Sequence, residues 1–175
     1  MANYGEMGAA AARARADGIP LYSWEPRREW EVEQMLASFP AERVALFYVL
    51  RPYCSGLRFG RPEDPEGFVE EFRRTRTGYP GLEGTLPSVA AIDSLWSRDF
   101  GGGKDWRDTS DEYGLPGAEL SARSNALRDE HLAGVIADLV GQGERVVAVM
   151  GSSHEESCPR NVEPFPGKIP RWRSG

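Results

Sequence analysis

His154 is the residue of this chain whose type and neighbours best suit it to chemistry. It is one of two histidines, and it follows the apolar run Arg145-Val146-Val147-Ala148-Val149-Met150 after a Gly151-Ser152-Ser153 turn. Small residues in such a turn let backbone amides approach a ligand. A neutral imidazole there serves as a general base or a metal ligand, with Ser152 and Ser153 as candidates to touch substrate. Glu25 holds the matching position after the apolar run 19–24. A carboxylate there can ligate a metal, orient a histidine or act as a base; its plainer role is an acid at the start of the next helix. Arg128, Asp129 and His131 follow one another at the start of a helical pattern. Arg128 and His131, three apart, share one side of that helix. Arg128 can hold an anionic substrate or pair with Glu25, and Asp129 is a further substrate-binding candidate. Glu6, Glu155 and Glu156 are further acids with a plainer reading as a helix-start acid and a solvated tail. A metal, if held, would take His154, Glu25 and His131. Cys54 and Cys158 lack zinc-site spacing. The order Gly-Ser-Ser-His is not the Gly-x-Ser-x-Gly elbow of a serine hydrolase, and Gly101-Gly102-Gly103 lacks the Lys-Ser/Thr and helix of a phosphate loop.

The elements that must position these residues follow from periodicity. Residues 7–17 are alanine-rich and stop at Gly18, a helix with a glycine end. Residues 27–38 and 65–76 read as amphipathic helices, 41–51 as a buried one that starts at Pro40, and 87–96 as another helix. Leu127, Leu132, Val135, Ile136, Leu139 and Val140 lie on one face of a helix over 127–141, capped by Ser124 or Asn125 and ended by Gly141 or Gly143. The runs 19–24 and 145–150 read as strands, the second rich enough in valine to be covered on both faces of a parallel sheet. Alternating helices and strands predict an α/β fold, a layered parallel or mixed sheet flanked by helices. Functional groups would then gather at the carboxyl ends of the strands.

Composition bounds the function classes. The 175 residues suit a single domain, expected over 1–160, with 161–175 a flexible basic tail. A net charge of −6 argues against nucleic acid as a partner, because binding it needs a basic face. No apolar run is long enough to span a membrane and no leader pattern opens the chain. Two distant cysteines exclude a disulfide framework, so a cytoplasmic protein acting on a small molecule is expected.

Taken together, Gly5-Glu6-Met7-Gly8, Gly18-Ile19-Pro20 with Trp24-Glu25-Pro26, Phe39-Pro40-Ala41-Glu42-Arg43-Val44, Arg128-Asp129-Glu130-His131-Leu132 and the stretch from Gly143 to Gly151-Ser152-Ser153-His154 resemble the TraB/PrgY, erythromycin esterase and ChaN-like superfamily. The resemblance spans residues 5–155. It implies an α/β fold of pseudo-repeated halves, of the erythromycin esterase and ChaN type. It also implies a site built from two Gly-x-x-His motifs, acids at strand ends and an Arg-Asp pair on the last helix. Esterases, haem-binding proteins and the divalent-metal Tiki proteases belong to that superfamily. Carried over, Glu25 matches the strand-end glutamate, Arg128-Asp129 the helix pair and His154 the second Gly-x-x-His histidine. The first Gly-x-x-His would lie before Gly5, where this chain has no room for it. The expectation is therefore a sheet with an exposed edge, completed by homodimerisation. The activity expected is hydrolysis of an ester or phosphoester, phosphotriesters included. His154 and Glu25 would activate water directly or through Mn, Zn or Co, and Arg128 would stabilise negative charge. The alternatives are a non-catalytic, haem-type binding protein or an inactive truncated remnant.

Overall fold

Helices close their hydrogen bonds locally, and every stretch with helical periodicity is a helix in the computed structural model, which describes residues 5–100, 105–108 and 118–150. The helices are α1 (Gly5–Ala16), α2 (Arg28–Leu36), α3 (Ala41–Gly56), α4 (Pro65–Arg76), α5 (Val89–Phe100) and α6 (Ala118–Gly141), with single 3-10 turns at Leu57–Phe59 and Trp106–Asp108. Of the described residues 68% are helical and 1% strand, and they contain no sheet.

That corrects the expected α/β fold. Neither apolar run forms a strand ladder: residue 22 makes an isolated bridge, and residues 145–150 have no regular structure. A strand draws its hydrogen bonds from a neighbour, so a valine-rich run without a paired partner stays irregular. Val147, expected to be covered on both faces, is 90% exposed.

The chain groups into two compact units, Arg27–Ser124 and, from both ends of the sequence, Met1–Pro26 with Asn125–Gly175. The expected basic tail at 161–175 lies outside the described residues.

In the unit Arg27–Ser124, α3 is the core element. Val44, Ala45, Leu46, Phe47, Tyr48, Val49 and Leu50 are buried in succession, on every side of the helix, as an all-round apolar helix requires. It packs against α4 and α2, and α4 packs against α5. Pro40 precedes the first turn as the N-cap, one place earlier than its expected N1 position. Pro52 sits inside α3 and has no N–H to donate to the carbonyl of Tyr48, four residues back. Arg76 of α4 takes up that carbonyl, donating from Nη1 at 2.9 Å. The start of α4 is set by Asp64, whose Oδ1 accepts from the Gly67 N–H at 2.9 Å, with Pro65 at the first helical position. Tyr53 packs edge-on against Trp106 at 5.3 Å and Phe68 at 6.2 Å, and its hydroxyl donates to the Arg107 carbonyl at 2.8 Å. Asp93 accepts from Trp106 Nε1 at 2.7 Å and Arg107 Nη1 at 2.9 Å, which anchors the 3-10 turn there.

In the other unit, α1 and the last part of α6 end in the same way. Gly18 (φ +68°) follows α1, with its N–H on the Arg15 carbonyl and the Ile19 N–H on that of Ala14. Gly143 (φ +85°) follows α6, with its N–H on the Val140 carbonyl and the Glu144 N–H on that of Leu139. This is the Schellman stop, and the left-handed residue it needs is glycine both times. α6 begins nine residues before the apolar pattern at Leu127, so Ser124 and Asn125 are not its cap. Ser124 is instead a buried residue inside the helix.

Candidate functional site

The structure brings together three of the residues singled out by type and spacing. Glu25 lies at a bend in the segment between α1 and α2, Arg128 and His131 on α6. Three residues along a helix face one way, so both side chains reach the same segment. Arg128 Nε donates to one Glu25 oxygen at 3.0 Å, and Nη2 donates to the other. This is the two-point fork that suits guanidinium and carboxylate. The Arg128 guanidinium also lies 5.3 Å from the centre of the Trp24 ring.

His131 Nδ1 stands 2.8 Å from the Trp24 carbonyl oxygen. A carbonyl only accepts, so Nδ1 carries the proton and the neutral ring keeps its lone pair on Nε2. The ring is 7% exposed. Burial pushes its pKa below the ordinary histidine value, against the opposing pull of the Trp24 hydrogen bond and Glu25. Asp129 is buried. His154, Ser152, Ser153, Glu155 and Glu156 lie outside the described residues, as do Gly101-Gly102-Gly103 and Cys158; Cys54 is buried.

Of the three residues expected to hold a divalent metal, His154 lies outside the described residues, Glu25 gives both oxygens to Arg128, and His131 turns one ring nitrogen to a carbonyl. Among the described residues no group of three His, Cys, Asp or Glu is placed to hold an ion. The sheet edge that led to the expected homodimer is likewise not formed among them. No described helix is long and apolar enough to cross a membrane.

A second polar cluster, which spacing did not signal, lies in the unit Arg27–Ser124. Glu31 is 1% exposed; its Oε2 accepts from Arg28 Nη1 at 2.5 Å and its Oε1 from the Ser124 hydroxyl at 2.6 Å. Arg51 Nη1 donates to the same Ser124 oxygen at 3.2 Å. The sequence signal was only a glutamate amid apolar positions of α2. An open groove of about 590 Å3, lined by Arg27, Glu29, Trp30, Glu33, Leu36 and Pro80, holds no candidate site residue.

No protein-family model matches the chain, and neither a curated protein nor a solved structure shows significant similarity to it.

Proposed function

We propose that the chain is a hydrolase of ester or phosphoester bonds, with His131 as its general base. The observation that supports this most is the Trp24 carbonyl at His131 Nδ1, which fixes the tautomer with a basic Nε2. A depressed pKa keeps that nitrogen unprotonated at neutral pH. In this reading Nε2 takes a proton from water, the resulting hydroxide attacks the carbonyl carbon or phosphorus, the bond to the ester oxygen breaks, and the imidazolium returns the proton to that oxygen so that it leaves as the alcohol. Glu25 is a positioning residue, not a base, because both its oxygens accept from Arg128. Arg128, fixed at Nε and Nη2, presents Nη1 to the negative charge that develops on the substrate oxygen.

The test is turnover of a panel of activated carboxyl esters and phosphate mono-, di- and triesters, with manganese or zinc added and after chelation. Wild type is compared with His131→Gln, Arg128→Gln and His154→Ala. A loss of about 10²–10⁴-fold in kcat for His131→Gln at unchanged Tm is the expected result. For Arg128→Gln the expected loss is about 10²-fold. Turnover indifferent to His131, or lost only in His154→Ala, would overturn the assignment of the base. Absence of turnover on every substrate would overturn the hydrolase reading itself, and turnover abolished by chelation would replace the metal-free step.

A further inference from the structure

We propose that the groove beside α2 is a docking site for residues 164–173 of a second copy of this chain. Its apolar lining is Trp30 and Leu36 of α2 with Pro80, and its charged lining is Arg27, Glu29 and Glu33. The turn that carries Pro80 is held tightly against α2. Gly81 has a φ of +86°, and a Cβ there would lie 2.6 Å from Leu36 Cδ1, so only glycine allows this approach. The Gly81 N–H donates to Glu83 Oε2 at 2.7 Å, and the Leu82 N–H to the Tyr79 carbonyl at 2.9 Å. The groove is therefore pre-formed, which lowers the cost of receiving another chain.

Glu29 and Glu33 indicate the charge of the occupant. They are exposed and lie four residues apart on one side of α2, where like charges repel. Neither has a hydrogen bond or an ion pair among the described residues. Elsewhere in the same unit exposed carboxylates are taken up by arginines: Glu42 by Arg98 at 2.9 Å and Glu66 by Arg107 at 2.8 Å. With Arg27, the lining carries two negative charges and one positive. Unpaired carboxylates beside an indole ring and a proline suit a segment that brings cations together with prolines and aliphatic side chains.

The chain contains such a segment. Residues 164–173 read Pro164-Phe165-Pro166-Gly167-Lys168-Ile169-Pro170-Arg171-Trp172-Arg173. In a chain of net charge −6 they carry three basic side chains and no acidic one. The basic residues complement the two glutamates, and the prolines and Ile169 complement Trp30 and Leu36. Proline also restricts the free segment, so less entropy is lost on docking, as in other proline-bearing segments that bind aromatic-lined grooves. With the segment supplied by a second copy, two identical grooves and two identical segments engage reciprocally, the closed arrangement of a two-fold dimer. This inference is independent of the hydrolase reading, which uses none of these residues.

The test is sedimentation equilibrium of the full chain from low to high micromolar concentration, with circular dichroism to verify that each variant keeps its helices. One variant reverses the groove, Glu29→Lys with Glu33→Lys. A second reverses the segment, Lys168→Glu with Arg171→Glu and Arg173→Glu. The control, Glu63→Lys with Glu71→Lys, makes the same change of net charge as the first at two exposed glutamates outside the groove. Wild type and control are expected to dimerise alike. Each reversed variant alone is expected to dissociate at least about tenfold more readily, the effect of two pairs at the rim. Mixing the two reversed variants is expected to restore the dimer, because each then offers the complement of the other. A wild type that stays monomeric at every concentration would overturn the docking, and so would segments that dock within their own chain, which give the same monomer. A dimer unmoved by either reversal, equal weakening by the control, or a mixture that stays monomeric would each overturn it as well.

Discussion

The two units of this chain use similar residues to different ends. In Arg27–Ser124 apolar side chains are consumed by helix packing: α3 is buried on every side, and even a carboxylate, Glu31, is shut in with partners. In Met1–Pro26 with Asn125–Gly175, helices stop at glycines and hand over to irregular segments whose described apolar residues are half-buried or exposed, Val147 most of all. Helical apolar patterns find their complement within a short stretch of chain, whereas strand patterns depend on a neighbour that sequence spacing does not supply.

The sharpest way to break that comparison is Leu50→Ala. Truncating a fully buried leucine of α3 is expected to cost about 2–5 kcal/mol, a fall in Tm of roughly 5–15 °C by circular dichroism. A loss below about 1 kcal/mol would mean that α3 is not the core of its unit. Glu31→Ala comes next. It leaves Arg28 facing Ser124 and Tyr48 without its carboxylate, an expected loss of about 3 kcal/mol in urea unfolding. A neutral outcome would show that Glu31 is reached by water.

Acid sharpens the other side. The folded pKa of His131 lies below the unfolded value of 6.5. Below that value the unfolded chain binds a proton that the folded chain resists, so stability is full above it and falls as pH drops through it. Urea midpoints measured from pH 8 to 5 should show this fall, and His131→Gln should flatten it. The smallest expected effect is Val147→Thr, within about 0.5 kcal/mol for so exposed a side chain. A loss of about 2 kcal/mol would mean that residues 145–150 pack as a covered strand after all and would erase the contrast.

Much of the helical layout was legible. α4 runs from Pro65 to Arg76, the span expected from its amphipathic pattern. The long helix was recognised only over its apolar stripe; the turns before Leu127 are polar and carry no period, and Ser124 was mistaken for a cap because its buried bond to Glu31 is long-range. The strands failed because β-branched composition reports suitability for a sheet, not the presence of one. At the site, the pairing of Arg128 with Glu25 was foreseeable from charge and face. The part played by the Trp24 carbonyl was not, since backbone acceptors leave no mark in a sequence.

Pro52 has one more consequence. By leaving the Tyr48 carbonyl without its helical donor, it makes a vacancy that only a side chain can fill, and Arg76 fills it. The two positions are thereby bound into a shared mutational fate. In a Pro52→Ala background the helix supplies its own N–H, and the hydrogen-bond part of the cost of losing Arg76 shrinks. The double-mutant cycle should therefore depart from additivity by about 0.5–1.5 kcal/mol. Drift at one position is permitted or forbidden by the state of the other, an epistatic tether set by one missing hydrogen.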